Sequence, residues 1–236
     1  MNENQHHSRE GFLRRTAREV RNYNRTMKIL GAALGLLLVI VLILFVIAAL
    51  YNQSGSFTVS VNKIEMSKYG LSLSEKSDMS NMTSHLNAKI SESITNIAGE
   101  TIPPNVDNID GEHNGANYIA YTFYLQNRGE VAVPCEYTIN ISNISSGLDE
   151  AIRIKLFVNG EPTTYAKTSS NGTGPERGTK EFYSATVVAK ERIDELQPAE
   201  CVKFTVVIWI EGNDPDCVDA LIGGKLKVDM DISIVY

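Results

Sequence analysis

Carboxylates gather at two places in this 236-residue chain. Glu211, Asn213, Asp214, Asp216 and Asp219 form one oxygen-rich run, and Asp107, Asp110 and Glu112 form another. Hard cations prefer such ligands, so Glu211, Asp214, Asp216 and Asp219 are candidate calcium ligands, although neither spacing follows the EF-hand pattern. The competing use is structural. Asp214-Pro215 reads as a helix N-cap followed by proline in the first turn, with Gly223-Gly224 closing the piece.

Catalytic chemistry has less to work with. A hydrolytic zinc site needs three protein ligands around an open position. Beyond the first ten residues the only histidines are His85 and His113, and no H-E-x-x-H is present. His113 lies in the polar segment from Asp107 to Asn117, which reads as a solvated loop. Neither G-x-S-x-G nor a phosphate-cradling glycine loop occurs. No cofactor is indicated apart from that calcium, and an enzyme is not expected. The three cysteines, Cys135, Cys201 and Cys217, make no disulfide framework and match no zinc spacing. A strand opening at Cys201 and ending near Glu211 puts its ends about 33 Å apart. The few residues to Cys217 hardly return that far, so a bridge would join Cys135 to one of the others. The alternative is three free thiols.

The elements that position these residues divide at a membrane. Ile29 to Leu50 are 22 consecutive residues without a charge. A helix of that length reaches about 33 Å, enough to cross the hydrocarbon core, which admits no open backbone amide. Arg9, Arg14, Arg15, Arg18, Arg21, Arg25 and Lys28 precede the run, and only Lys63 and Lys68 follow it closely. The positive-inside rule then places the N-terminus in the cytoplasm and the remainder outside. The expected domains are a basic amphipathic tail (1–28), a transmembrane helix (29–50), a linker (51–56) and an external domain (57–236). The helix is a retained anchor or a cleaved signal; in the latter case the protein is secreted. Arg14, Arg18, Arg21 and Arg25 form one stripe of the tail, suited to the anionic inner leaflet. Gly31 and Gly35 form a GxxxG spacing that lets a second helix approach closely. The implied partners are membrane lipid and a protein or a second copy of the chain. Fifteen basic and twenty-five acidic groups follow the span, which excludes nucleic acid as a partner.

Beyond Tyr51 the pattern is that of strands, with apolar and polar residues alternating. Phe57, Val59 and Val61 share a face, as do Ile119, Tyr121, Phe123 and Leu125, and Val133, Cys135, Tyr137, Ile139 and Ile141. Ile152, Ile154, Leu156 and Val158 follow, with Arg153 and Lys155 expected to point to water. Asn159-Gly160 predicts a tight hairpin into Thr163 and Tyr165, and another strand is expected around Ala185 to Val188. Val202 to Ile210 is apolar on both faces and predicts a central covered strand. Leu226 to Tyr236 alternates again. Leu86, Ile90, Ile94 and Ile97 recur at helical spacing between Thr83-Ser84 and Gly99, which predicts a helix. Seven or eight short strands with turn-rich links make a sandwich the default.

Several segments resemble a family. Gly55-Ser56-Phe57-Thr58-Val59 follows a basic, apolar N-terminus. Then come Tyr118 to Glu130, with Asn127-x-Gly129 as a turn, Trp209 to Cys217, and a closing strand from Gly224 to Tyr236. Their order is similar to that of the TasA/camelysin-like secreted or surface β-sandwich proteins of Gram-positive bacteria. The resemblance implies an all-β, jelly-roll-like antiparallel β-sandwich with one or two short helices. It also implies export and a role at the cell surface or in matrix fibres, built when a freed N-terminal strand completes a neighbouring subunit. Camelysin-like metal-dependent peptidase activity finds no matching ligand set here. The expectation is a non-enzymatic adhesion, fibre or envelope component; the alternative is a membrane-tethered sensor or accessory subunit that couples through its helix.

Overall fold

The computed structural model describes residues 3–52, 56–89 and 94–235, which divide into two units, one ending at Asn52 and one beginning at Gln53. The first unit is one helix, α1 (Glu3–Asn52). Within its stretch Arg21–Ile47 an 18-residue window reaches a mean hydropathy of 3.2, so the helix is long and apolar enough to cross a membrane. Arg21 and Arg25 are exposed on it. Arg14 and Arg18 belong to the same helix, but their side chains fall outside the described residues. Of the expected linker, 51 and 52 continue the helix and 53–55 lie outside the described residues.

Among its described residues the second unit is all-β apart from one short helix and a few 3-10 turns. Its strands are β1 (Ser56–Val61), β2 (Leu71–Ser74), β3 (His85–Lys89), β4 (Gly111–Glu112), β5 (Tyr118–Asn127) and β6 (Val133–Ile144). They continue as β7 (Ile152–Val158), β8 (Glu161–Ala166), β9 (Lys180–Glu181), β10 (Val187–Leu196), β11 (Cys201–Ile210) and β12 (Leu226–Ile234). The first sheet runs β10-β6-β12-β1-β3, and the second runs β2-β5-β11-β7-β8-β9, with β4 also on β5. Both are mixed, because β1 pairs with β12 and β8 with β9 in parallel. A purely antiparallel arrangement is therefore not what the chain adopts. One core joins them: Phe57, Val59, Ile139, Met230 and Ile232 from the first sheet pack with Tyr121, Phe123, Leu156, Phe204 and Ile208 from the second. The ring of Phe204 stacks on Phe123 and meets the edge of Tyr137 across the layers.

Local chemistry explains most of these elements. Asn159 and Gly160 both take positive φ, 52° and 88°, which gives the β7–β8 hairpin its two-residue turn. Asn127 is fully buried at the end of β5. Its Oδ1 accepts from Gly129 N at 2.9 Å, and its Nδ2 donates to the carbonyls of Val131 and Leu196 at 2.8 Å. The side chain thus shapes the turn into β6 and ties it to β10.

Three expectations are corrected. The helix expected through Leu86, Ile94 and Ile97 does not form. Leu86 sits in β3, where it and Ala88 face the core against β1; Ile97 makes an isolated bridge to Glu211, and Ile90 lies outside the described residues. The pairing edge of β1 overrides a helical spacing supported by few strong helix formers. A helix forms instead at α2 (Lys63–Tyr69), where the Asn62 side chain accepts from Ile64 N and Gly70 closes the end at φ 76°. Gly70 is required there, since a Cβ would stand 2.6 Å from Gly129 N. The Asp214–Pro215 segment makes turns and then a 3-10 piece at Asp219–Leu221, not an α-helix. Third, Arg153 is buried, as described next.

Candidate functional site

The second sheet has an apolar outer face. Ala120, Phe157, Val207 and Trp209 form a cluster there with Val106, and Ile97, Ile102 and Tyr118 pack against it. Arg153 lies within that layer because β7 pairs with β11 in the register that sets it beside Trp209. A charge enclosed this way must be neutralised and hydrogen-bonded. Its Nε reaches Glu176 Oε2 at 3.0 Å, its Nη2 reaches Asp214 Oδ2 at 2.5 Å, and its Nη1 donates to the Ile152 carbonyl at 3.1 Å. Lys155, two residues on, lies 5.7 Å from the centre of the Phe157 ring.

The four candidate ligands are occupied by protein donors or left exposed. Glu211 is buried; its Oε2 accepts from Trp209 Nε1 at 2.9 Å and Gly99 N at 3.0 Å, and its Oε1 accepts from Asn213 N at 3.1 Å. Asp214 pairs with Arg153 and accepts from Asp216 N at 2.7 Å. Asp216 accepts from the hydroxyl and amide of Ser170 and the hydroxyl of Ser169. Those bonds, that of the Ser170 hydroxyl foremost, hold its carboxyl below the usual range. Asp219 opens the 3-10 piece and is exposed. Among the described residues no group of three or more His, Cys, Asp or Glu is placed to hold a metal ion. The carboxylates instead fasten the loop 211–217 to the loop 169–176 and to β7.

Between these loops lies an open cleft of about 180 Å³ lined by Gly99, Arg153, Thr164, Glu176, Trp209 and Glu211, among others. Gly99 rests against the Trp209 ring, and a Cβ there would come within 2.9 Å of it. Neither His nor Cys lines the cleft; Glu100, Glu176 and Glu211 do. Across it Arg153 joins Glu176 to Asp214 and so ties the two loops together. His113 is not solvated as expected: Nδ1 lies 2.8 Å from the Gly111 carbonyl and Nε2 2.7 Å from that of Val106, so both ring nitrogens are engaged.

The cysteines are free. Burial pushes the Cys135 thiol up to about 11 and raises that of Cys201 as well. Cys217 accepts from the Asn96 amide at 3.2 Å. On α1, a Cβ at Gly31 or Gly35 would meet no atom within 4 Å, so the face they mark is open. Sequence reasoning missed Arg153. The available signal was Val207 and Trp209 on the second face of β11, since a covered strand implies covered neighbours.

No protein-family model matches the chain, and no curated protein matches it. Among solved structures, beta-glucosidase from Kluyveromyces marxianus in complex with glucose aligns at 10% identity, TM-score 0.22, over 68% of this chain and 15% of its own. The selenomethionine-labelled form of that enzyme aligns at 10% identity, TM-score 0.25, over 68% of this chain and 17% of its own. The chain thus spans less than a fifth of the length of these structures, and likeness at this level carries no argument about fold or activity.

Proposed function

We propose that the chain is a membrane-anchored, non-enzymatic β-sandwich of jelly-roll type, displayed outside the cell, that acts by binding or assembly in adhesion, fibre or envelope structures. One observation carries this reading: an uncharged apolar helix with its basic flank on one side is followed by an acidic, all-β unit. The positive-inside rule turns that asymmetry into an orientation. Sheet edges supply a mechanism. β10 is a long edge, but Lys190, Glu191, Arg192 and Asp194 guard it against pairing. β3 is the opposite edge of the same sheet and carries fewer charges, so it is the edge for strand addition.

Two measurements test the reading. Protease added to intact cells should digest the 57–236 unit, and survival of that unit beside digested surface controls would overturn the orientation. Mass spectrometry of the native N-terminus then separates two modes of assembly. A start between Ala49 and Phe57 frees β1 for a neighbouring subunit, and an intact Met1 leaves a tethered protein. A second reading, an accessory subunit coupled through α1, rests on the Gly31–Gly35 spacing. Gly31→Leu with Gly35→Leu would then abolish co-purification of an integral membrane partner.

A further inference from the structure

We infer that the end of the β unit at which β1 begins docks on the lipid surface through the loop 218–222. The inference rests on the anchored reading above. Ser56 stands beside Lys227, Lys227 beside Asn143, and Leu226 beside Ile144, so the start of β1, the start of β12 and the end of β6 form one end of the first sheet. Ser145 N donates to the Lys225 carbonyl at 3.0 Å, which holds the approach to β12 at that same end. The loop leading there turns its Leu221 inward against the core. Its other two large apolar residues point away: Val218 is 53% exposed and Ile222 80%, beside Ile144 at 36% on the adjoining strand end. Ile222 is more exposed than any other large apolar residue among those described. A bilayer interface accepts exposed apolar side chains gathered at one end among its headgroups.

Chain length keeps that interface within reach. The uncharged run ends at Leu50, six residues before Ser56. Six residues span at most about 21 Å even when fully extended. The start of β1 therefore cannot leave the neighbourhood of the headgroups, and Ile222 and Val218 stay within reach of them. The opposite end also exposes apolar residues, Ile64 at 71% and Val131 at 59%. It lies a further six strand residues away, about 20 Å, and serves as the internal control.

The test uses the full chain reconstituted in phosphatidylcholine vesicles that carry bromine on the acyl chains close to the headgroup. Trp209, the one native tryptophan, is buried, and its emission in the unsubstituted chain is subtracted as background. Ile222→Trp and Val218→Trp should each lose most of their added emission to bromine, and Ile64→Trp should keep it. Equal quenching at Ile64→Trp, or none at both loop positions in vesicles that carry the protein, overturns the docking and leaves the anchor intact. Failure of the wild-type chain to float with the vesicles overturns the anchored reading itself, and the docking with it.

Discussion

The two sheets share a core but treat their outer faces in opposite ways. On the first sheet the outward side chains are polar or charged, and several bond to one another: Thr58 donates to Asp229, Ser60 to Asp231 at 2.7 Å, and Asn140 also to Asp231 at 3.4 Å. Water completes that face, and nothing has to fold over it. On the second sheet Val207 and Trp209 demand a cover, and the segments 97–106 and 169–176 supply it. The lesson concerns cost. Once a face is roofed, each charge on it must find a partner inside, and Arg153 takes two carboxylates for that reason.

This contrast can be broken at several points. Ile208→Asp places an unpaired carboxylate between the sheets and should cost several kcal/mol, leaving no cooperative thermal transition by circular dichroism. Arg153→Ala strands Asp214 under the roof and should cost about 3–5 kcal/mol in urea denaturation. Glu176→Gln, at the half-exposed end of the same cluster, should cost less than about 1 kcal/mol. Equal costs for those two would mean that the outer face of the second sheet is open to water. Asn127→Ala removes the staple from β5 to β10 and should cost about 2 kcal/mol. On the polar face, Lys227→Asp sets a like charge beside Asp229, its present partner at 3.4 Å, and should cost only about 0.5 kcal/mol.

The smallest effect is a pH dependence. Asp216 is held below its ordinary value when folded, so its stabilising contribution is present above the unfolded value near pH 4 and fades as pH falls through the folded one. Asp216→Asn should flatten the acid limb of the stability curve; an unchanged limb would show that the bonds from Ser169 and Ser170 do not form in solution.

Much of this was legible in the residues themselves. Uncharged length announced the apolar helix, and strict alternation announced β5, β6, β7 and β12. Residues apolar on both faces announced β11. What stayed hidden depended on neighbours. β10 was foreseen only around Val188, because an edge strand carries charges such as Lys190, Glu191 and Arg192 that read as a loop. β3 was mistaken for the start of a helix, since Leu86 fits both periods until β1 claims it. Arg153 alternates as a surface residue should, and only the roof over Trp209 makes it internal. The acidic run at 211–219 looked like a cation site because spacing alone does not reveal which carboxylates backbone amides and hydroxyls have already taken.

The parallel register of β1 on β12 sets the order in which this molecule can mature. β1 pairs with β3 early in the chain, but its other edge waits for β12, which also supplies the partner of β6. Until Leu226–Ile234 have been made, Phe57 and Val59 have no strand between them and Ile139. Closure of the first sheet therefore waits for the synthesis of β12. A chain stopped short of Leu226 would leave two open strand edges on an immature polypeptide, ready for a chaperone, a protease or another nascent copy.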